Sequence, residues 1–126
     1  MTMAYWCVLA AGLLPYAFAV SAKAGARGFS NRTPRAFLAA LDGWRRRADW
    51  AQQNTFEGLP LFAAAVIIAH QLAVSQGPLD TLALSYVALR VVYGVMYLLD
   101  RPTLRSLAWL AALACVIGLF LLAARA

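Results

Sequence analysis

Charge is scarce in this 126-residue chain: Asp, Glu, Lys and Arg make up 13% of it, against roughly a quarter in an ordinary soluble domain. Acidic residues number five, and Glu57 is the only glutamate. Two cysteines, Cys7 and Cys115, are too few for a disulfide scaffold. The lone histidine, His70, excludes a histidine-rich metal site. The chain has no phosphate-binding glycine loop, nucleophile elbow, HExxH helix or cysteine pair at metal spacing. What it has instead is apolar: 63% of residues are hydrophobic and the mean hydropathy is +0.70. That balance excludes a disordered chain, a collagen-like chain and a water-soluble globule.

The apolar residues fall in four long stretches. Residues 4–22 and 106–124 are each 19 residues without Asp, Glu, Lys or Arg. Residues 58–74 are 17 more, and residues 81–99 are 19 interrupted only by Arg90. A helix crosses the hydrocarbon core in about 20 residues, and backbone groups in lipid must pair within the segment. The expectation is an all-α integral membrane protein, a single domain over 1–126. Its four transmembrane helices are expected at about 4–22, 56–74, 81–99 and 106–124. The residues before the first stretch carry no basic side chain, which favours a retained span over a cleaved signal.

The basic residues set the expected orientation. Loop 23–49 carries Lys23, Arg27, Arg32, Arg35, Arg45, Arg46 and Arg47 against Asp42 and Asp49. Loops rich in Lys and Arg stay cytoplasmic. Loops 23–49 and 100–105 are therefore expected inside and both termini outside. The net charge of +6 is then explained by topology and anionic headgroups, with no need for nucleic acid. Within the long loop, 25–32 reads as a turn region, and Thr33-Pro34 reads as a helix start. Phe37, Leu41, Trp44 and Ala48 then share one face of a basic amphipathic segment. That segment is expected to lie at the interface or to extend the second span. His70 reads as a packed or interfacial histidine. Trp6, Trp44, Trp50 and Trp109 read mostly as interfacial belts.

The informative residues are polar ones at membrane depth, where a charge costs a few kcal/mol or more. They are Gln52, Gln53, Asn54 and Glu57 in the second span, and Arg90, Tyr93 and Tyr97 in the third. Arg105 and Ser106 open the fourth. At 1.5 Å per residue, Glu57 and Tyr93 lie about 10 Å below the cytoplasmic surface and Arg90 about 15 Å. Asn54 and Glu57 share a helix face, as do Arg90, Tyr93 and Tyr97. One reading is structural: Glu57 and Arg90 pair, while Asn54 and the tyrosines bond across helices. The other is a site. The donors exceed what one carboxylate can satisfy, which suits an anionic, water-soluble ligand.

These residues also stand in a familiar order. Asn54-Thr55-Phe56-Glu57-Gly58-Leu59-Pro60-Leu61-Phe62 resembles the N-x-x-E-x-x-P-x-F signature of the MAPEG family, the membrane-associated proteins in eicosanoid and glutathione metabolism. Arg90, Tyr93 and Tyr97 resemble its R-x-x-Y-x-x-x-Y third helix, and 101–106 resembles the arginine-bearing turn into its fourth. The resemblance implies a homotrimer that binds glutathione, as co-substrate, between neighbouring subunits in the cytoplasmic half. The implied activity is that of a transferase or peroxidase on lipophilic electrophiles. By the same resemblance Asn54 and Glu57 hold the γ-glutamyl end and Tyr93 contacts its carboxylate, with Arg90 in the adjoining polar network. Tyr97 and Arg105 approach the thiol, and Gln52 and Arg27 are candidates for the glycyl end. An arginine beside a thiol stabilises the thiolate nucleophile. The chain is similar to the family's bacterial members, which implies a bacterial inner membrane. It carries Gly58 where conjugating members often have tyrosine and Trp50 where they often have arginine. Those departures leave an alternative open, a non-catalytic membrane scaffold or accessory subunit of the same fold.

Overall fold

A computed structural model describes residues 1–126 and is helical throughout. The helices are α1 (Met3–Lys23), α2 (Pro34–Ala39), α3 (Gly43–Gln71), α4 (Gln76–Leu98) and α5 (Pro102–Ala123). Three of them, α1, α4 and α5, are long and apolar enough to cross a membrane. Helix α3 is the longest at 29 residues, about 44 Å at the usual rise. Its first half holds the polar cluster, and its second half has no Asp, Glu, Lys or Arg.

Two tight turns force antiparallel packing. Ala73 (φ 55°) and Asp100 (φ 56°) adopt the left-handed conformation after α3 and α4. There the N–H groups of Val74 and Arg101 return to Ala69 and Met96, closing each helix as a Schellman motif. Helix α1 then packs along α3, and α4 along α5, with α3 also touching α4 and α5. The main core joins all four long helices through small residues: Ala4 and Ala11, Ala65 and Ala69, Ala83, and Ala112, packed with Phe62, Leu79, Val66 and Leu119. Small side chains let helices approach where lipid provides no hydrophobic drive. The large apolar side chains, Leu9, Leu13, Val20, Leu107, Leu110 and Leu121 among them, point outward. A surface so apolar would be untenable in water and marks an integral membrane protein.

At one end of the molecule, Asp80 on α4 accepts the N–H of Ala4 in the first turn of α1 (2.8 Å). His70 bridges the Thr2 hydroxyl and the Val66 carbonyl (2.8 Å each) while stacking on Tyr5. It is a packed residue. The opposite, basic end is tied by three consecutive arginines near the start of α3. Arg45 donates to the carbonyls of Ala22 and Ala24, which end α1. Arg46 donates to those of Leu38 and Ala39, which end α2. Arg47 donates to those of Tyr97 and Leu98, which end α4 (3.0 and 3.1 Å). Each guanidinium meets carbonyls left over at a helix C-terminus, where the macrodipole also favours a cation.

The segment 33–48 is not one amphipathic helix. It breaks at 40–42, and α3 restarts at Gly43, whose φ of 57° glycine adopts without steric cost. The break turns α2 back so that Leu38 is buried with Ala22 and Ala48. Thr33 precedes Pro34 without a side-chain capping bond.

Two substitutions probe this packing. Arg47→Ala should lower the thermal midpoint in detergent through a loss of roughly 1.5–3 kcal/mol, the worth of a hydrogen bond to a charged group. The exposed Arg32→Ala should leave it unchanged. Gly94 lies directly under the buried Phe18 ring, with no room for a Cβ, so Gly94→Ala should cost about 1–3 kcal/mol by overpacking. Gly77→Ala, with open space around it, should be neutral or stabilising in the same measurement.

Candidate functional site

A guanidinium among apolar helices needs acceptors, because an unpaired charge out of water is costly. Arg90 on α4 is 3% exposed. Its Nη2 donates to Asn54 Oδ1 and to Thr55 Oγ1, both at 2.9 Å. The Thr55 hydroxyl spends its own proton on the Ala51 carbonyl one turn back (2.7 Å), so its oxygen is free to accept. The Tyr93 ring lies 4.2 Å from the guanidinium carbon, a cation–π contact. Tyr93 meets Tyr97 edge to face at 5.6 Å, and Tyr97 carries the Arg105 guanidinium at 4.4 Å. Two tyrosines on α4 thus stand between two cations, Arg90 on the same helix and Arg105 on α5.

No ion pair joins Glu57 to Arg90. The one ion pair formed is Arg46 with Asp49, at 4.0 Å. The structural reading of the polar cluster, with its Glu57–Arg90 pair, is therefore corrected: α3 presents Asn54 and Thr55 to the arginine and leaves Glu57 exposed. Glu57 instead faces a cleft of about 230 Å³, shared with Asn54, Gly58, Tyr86, Arg90 and Trp109. A second recess of about 460 Å³ is lined by Asn54, Tyr93, Tyr97, Arg105, Ser106 and Trp109. Asn54 and Trp109 border both, so the two recesses form one groove between α3, α4 and α5. Its floor is polar. Its wall is apolar, built from Leu61 on α3 and Trp109, Leu110, Leu113 and Val116 on α5.

Six of the eight candidate residues therefore meet in one groove: Asn54, Glu57, Arg90, Tyr93, Tyr97 and Arg105. Gln52 does not. Two positions before Asn54, it turns to the far side of α3, where it lines a separate recess with Arg35, Leu38, Asp49 and Gln53. Arg27 stands exposed in the turn between α1 and α2. Three residues of the site escaped the sequence reading: one that holds Arg90 and two that line the groove. Thr55 is hidden by its adjacency to Asn54. Trp109 reads as an interfacial belt residue but stands between the two recesses. Tyr86 lies one turn before Arg90 on the same stripe, a spacing that was available in the sequence.

Chemically, the groove offers one unpaired carboxylate, two guanidinium groups, a carboxamide and several phenol hydroxyls beside an apolar wall. It suits a small polar ligand of mixed charge, with an apolar molecule alongside.

No curated protein matches the chain. The model of the MAPEG family matches residues 3–125, almost its whole length. With the groove's six residues standing in that family's motif order, the chain belongs to the MAPEG family.

Proposed function

We propose that this protein is a glutathione-dependent membrane transferase or peroxidase acting on lipophilic electrophiles. It works as a homotrimer of four-span subunits in a bacterial inner membrane. The observation that carries the reading is the groove in which Asn54, Glu57, Arg90, Tyr93, Tyr97 and Arg105 converge. Its charges fit glutathione. The unpaired Glu57 carboxylate takes the ammonium, while Arg90 and Tyr93 take carboxylate oxygen. Asn54, already fixed by Arg90, offers its amide N–H groups. Arg105, held over Tyr97 at the basic mouth, stabilises the thiolate left when the thiol loses its proton. The sulfur then forms a bond to the electrophilic carbon, and the leaving group departs with its electron pair. The electrophile approaches from the bilayer along Leu110, Leu113 and Val116.

Two features support α3 as the fourth span. It packs along the three apolar helices, and much of its polar half is turned into the groove or tied to helix ends rather than to lipid. The seven basic residues of 23–49 support a cytoplasmic position for that loop and 100–105, with both termini outside. The trimer rests on a different argument. A polar-floored groove open at the side, with Trp109 40% exposed, needs a cover that lipid tails do not supply. A neighbouring subunit supplies it, and then Gln52 and Arg27, turned away from their own groove, reach the ligand from across the interface.

Glutathione at millimolar concentration should raise the thermal midpoint of the purified protein in detergent, and sedimentation should give three subunits per particle. Glu57→Gln should weaken glutathione affinity about tenfold, the loss of one charge-assisted contact. Arg105→Ala should keep binding but lower kcat with an aryl halide by about 100-fold, as for removal of one transition-state stabilising group. No shift with glutathione and no turnover would favour the alternative, a non-catalytic scaffold or accessory subunit.

A further inference from the structure

Tyr86 is 4% exposed and lies at the deep end of the groove, about 6 Å beyond Arg90 along α4. Its ring is clamped face to face on Phe62, with centroids 3.9 Å apart and planes 12° from parallel. That stack fixes where the hydroxyl goes. A Cβ built on Gly58 would stand 3.0 Å from Tyr86 Oη, so the hydroxyl occupies the space that the missing side chain leaves. It makes no hydrogen bond within the protomer. Nor is it sealed in: the one buried side-chain polar atom without a partner is Arg90 Nε. Tyr86 is among the groove's lining residues.

A phenol hydroxyl at this depth has a desolvation cost that phenylalanine, filling the same space, would avoid. Its use must lie in what enters the groove. Around it stand Glu57, which is negative and unpaired, and Arg90, which is positive. That pair matches the zwitterionic end of an α-amino acid, with the ammonium toward Glu57 and the carboxylate toward Arg90. Of the two ligand charges, only the carboxylate can take the hydroxyl's proton, because an ammonium has no lone pair to accept it. We infer that Tyr86 binds the ligand directly: over Gly58, its hydroxyl donates a hydrogen bond to the α-carboxylate at the amino-acid end of the bound thiol. Gly58 then helps set the hydroxyl's position, since a Cβ there would press it aside by a few tenths of an ångström. The inference rests on the reading of the groove as a glutathione site and extends the α4 stripe to Tyr86, Arg90, Tyr93 and Tyr97.

The test is calorimetric, on the purified oligomer in detergent, with two probes. One is glutathione. The other is the same tripeptide lacking the α-carboxylate of its γ-glutamyl residue. Tyr86→Phe keeps the ring and its stack on Phe62, and should weaken glutathione about tenfold while leaving affinity for the decarboxylated probe as in wild type. Gly58→Ala should weaken glutathione in the presence of Tyr86 and add nothing in the Tyr86→Phe background, the non-additivity of a coupled pair. Wild-type binding with an unchanged Tyr86→Phe affinity overturns the role of Tyr86 alone. So does an equal loss for both probes, which would mean that the hydroxyl serves Glu57 or the ammonium. Failure of wild type to bind glutathione at all overturns the reading of the groove, and this inference with it.

Discussion

One buried cation organises the middle of this protein. Arg90 lies inside a helical body whose outer face is apolar, where a guanidinium survives only if given oxygen acceptors. Helix α3 supplies two, Asn54 Oδ1 and Thr55 Oγ1, and Tyr93 supplies a ring face. These contacts fix the register of α3 against α4, because a slide of one residue would carry both acceptors off the arginine. They also hold Asn54 at the rim where the two recesses meet. Glu57, three residues on, is left without a partner and faces the groove. The contact that makes the charge tolerable is thus the one that frees the carboxylate.

A second constraint acts at the basic end. Helices α1, α2 and α4 all finish there, each with carbonyls that have no intrahelical partner. The run Arg45-Arg46-Arg47 meets one of them with each residue, because successive residues on a helix point about 100° apart and so reach three different neighbours. Positive charge that reads simply as a topological signal is therefore also spent inside the fold. The groove opens toward this same end, and Arg105 at its mouth is set by Tyr97, the residue whose carbonyl Arg47 holds. The stability of the basic end and the geometry of the mouth share a helix terminus.

The groove joins two kinds of surface, a polar floor from α3 and α4 and an apolar wall from α5. In a bilayer this arrangement sets polar groups beside an apolar surface within one groove. Gly58 and Tyr86 show how the floor is completed from the opposite helix: where α3 gives up a side chain, a hydroxyl from α4 fills the space.

The helical character and the membrane setting were legible in the sequence, since charge-free runs near 20 residues admit few alternatives. Motif order announced the family, and helical spacing placed Arg90, Tyr93 and Tyr97 on one face. Periodicity describes one helix at a time, however, and says nothing about the rotation of one helix against another. Hence Glu57 and Arg90, opposite in charge and similar in depth, looked like partners, whereas the rotation of α3 gave the arginine to Asn54 and Thr55. For the same reason Trp109 read as an ordinary interfacial aromatic, and the three-way use of Arg45, Arg46 and Arg47 could not be read from a run of like charges. Local pattern determines which residues must leave water. Which of them meet is decided only by how the helices pack, because a hydrogen bond or ion pair depends on ångström distances between segments that are remote in the chain.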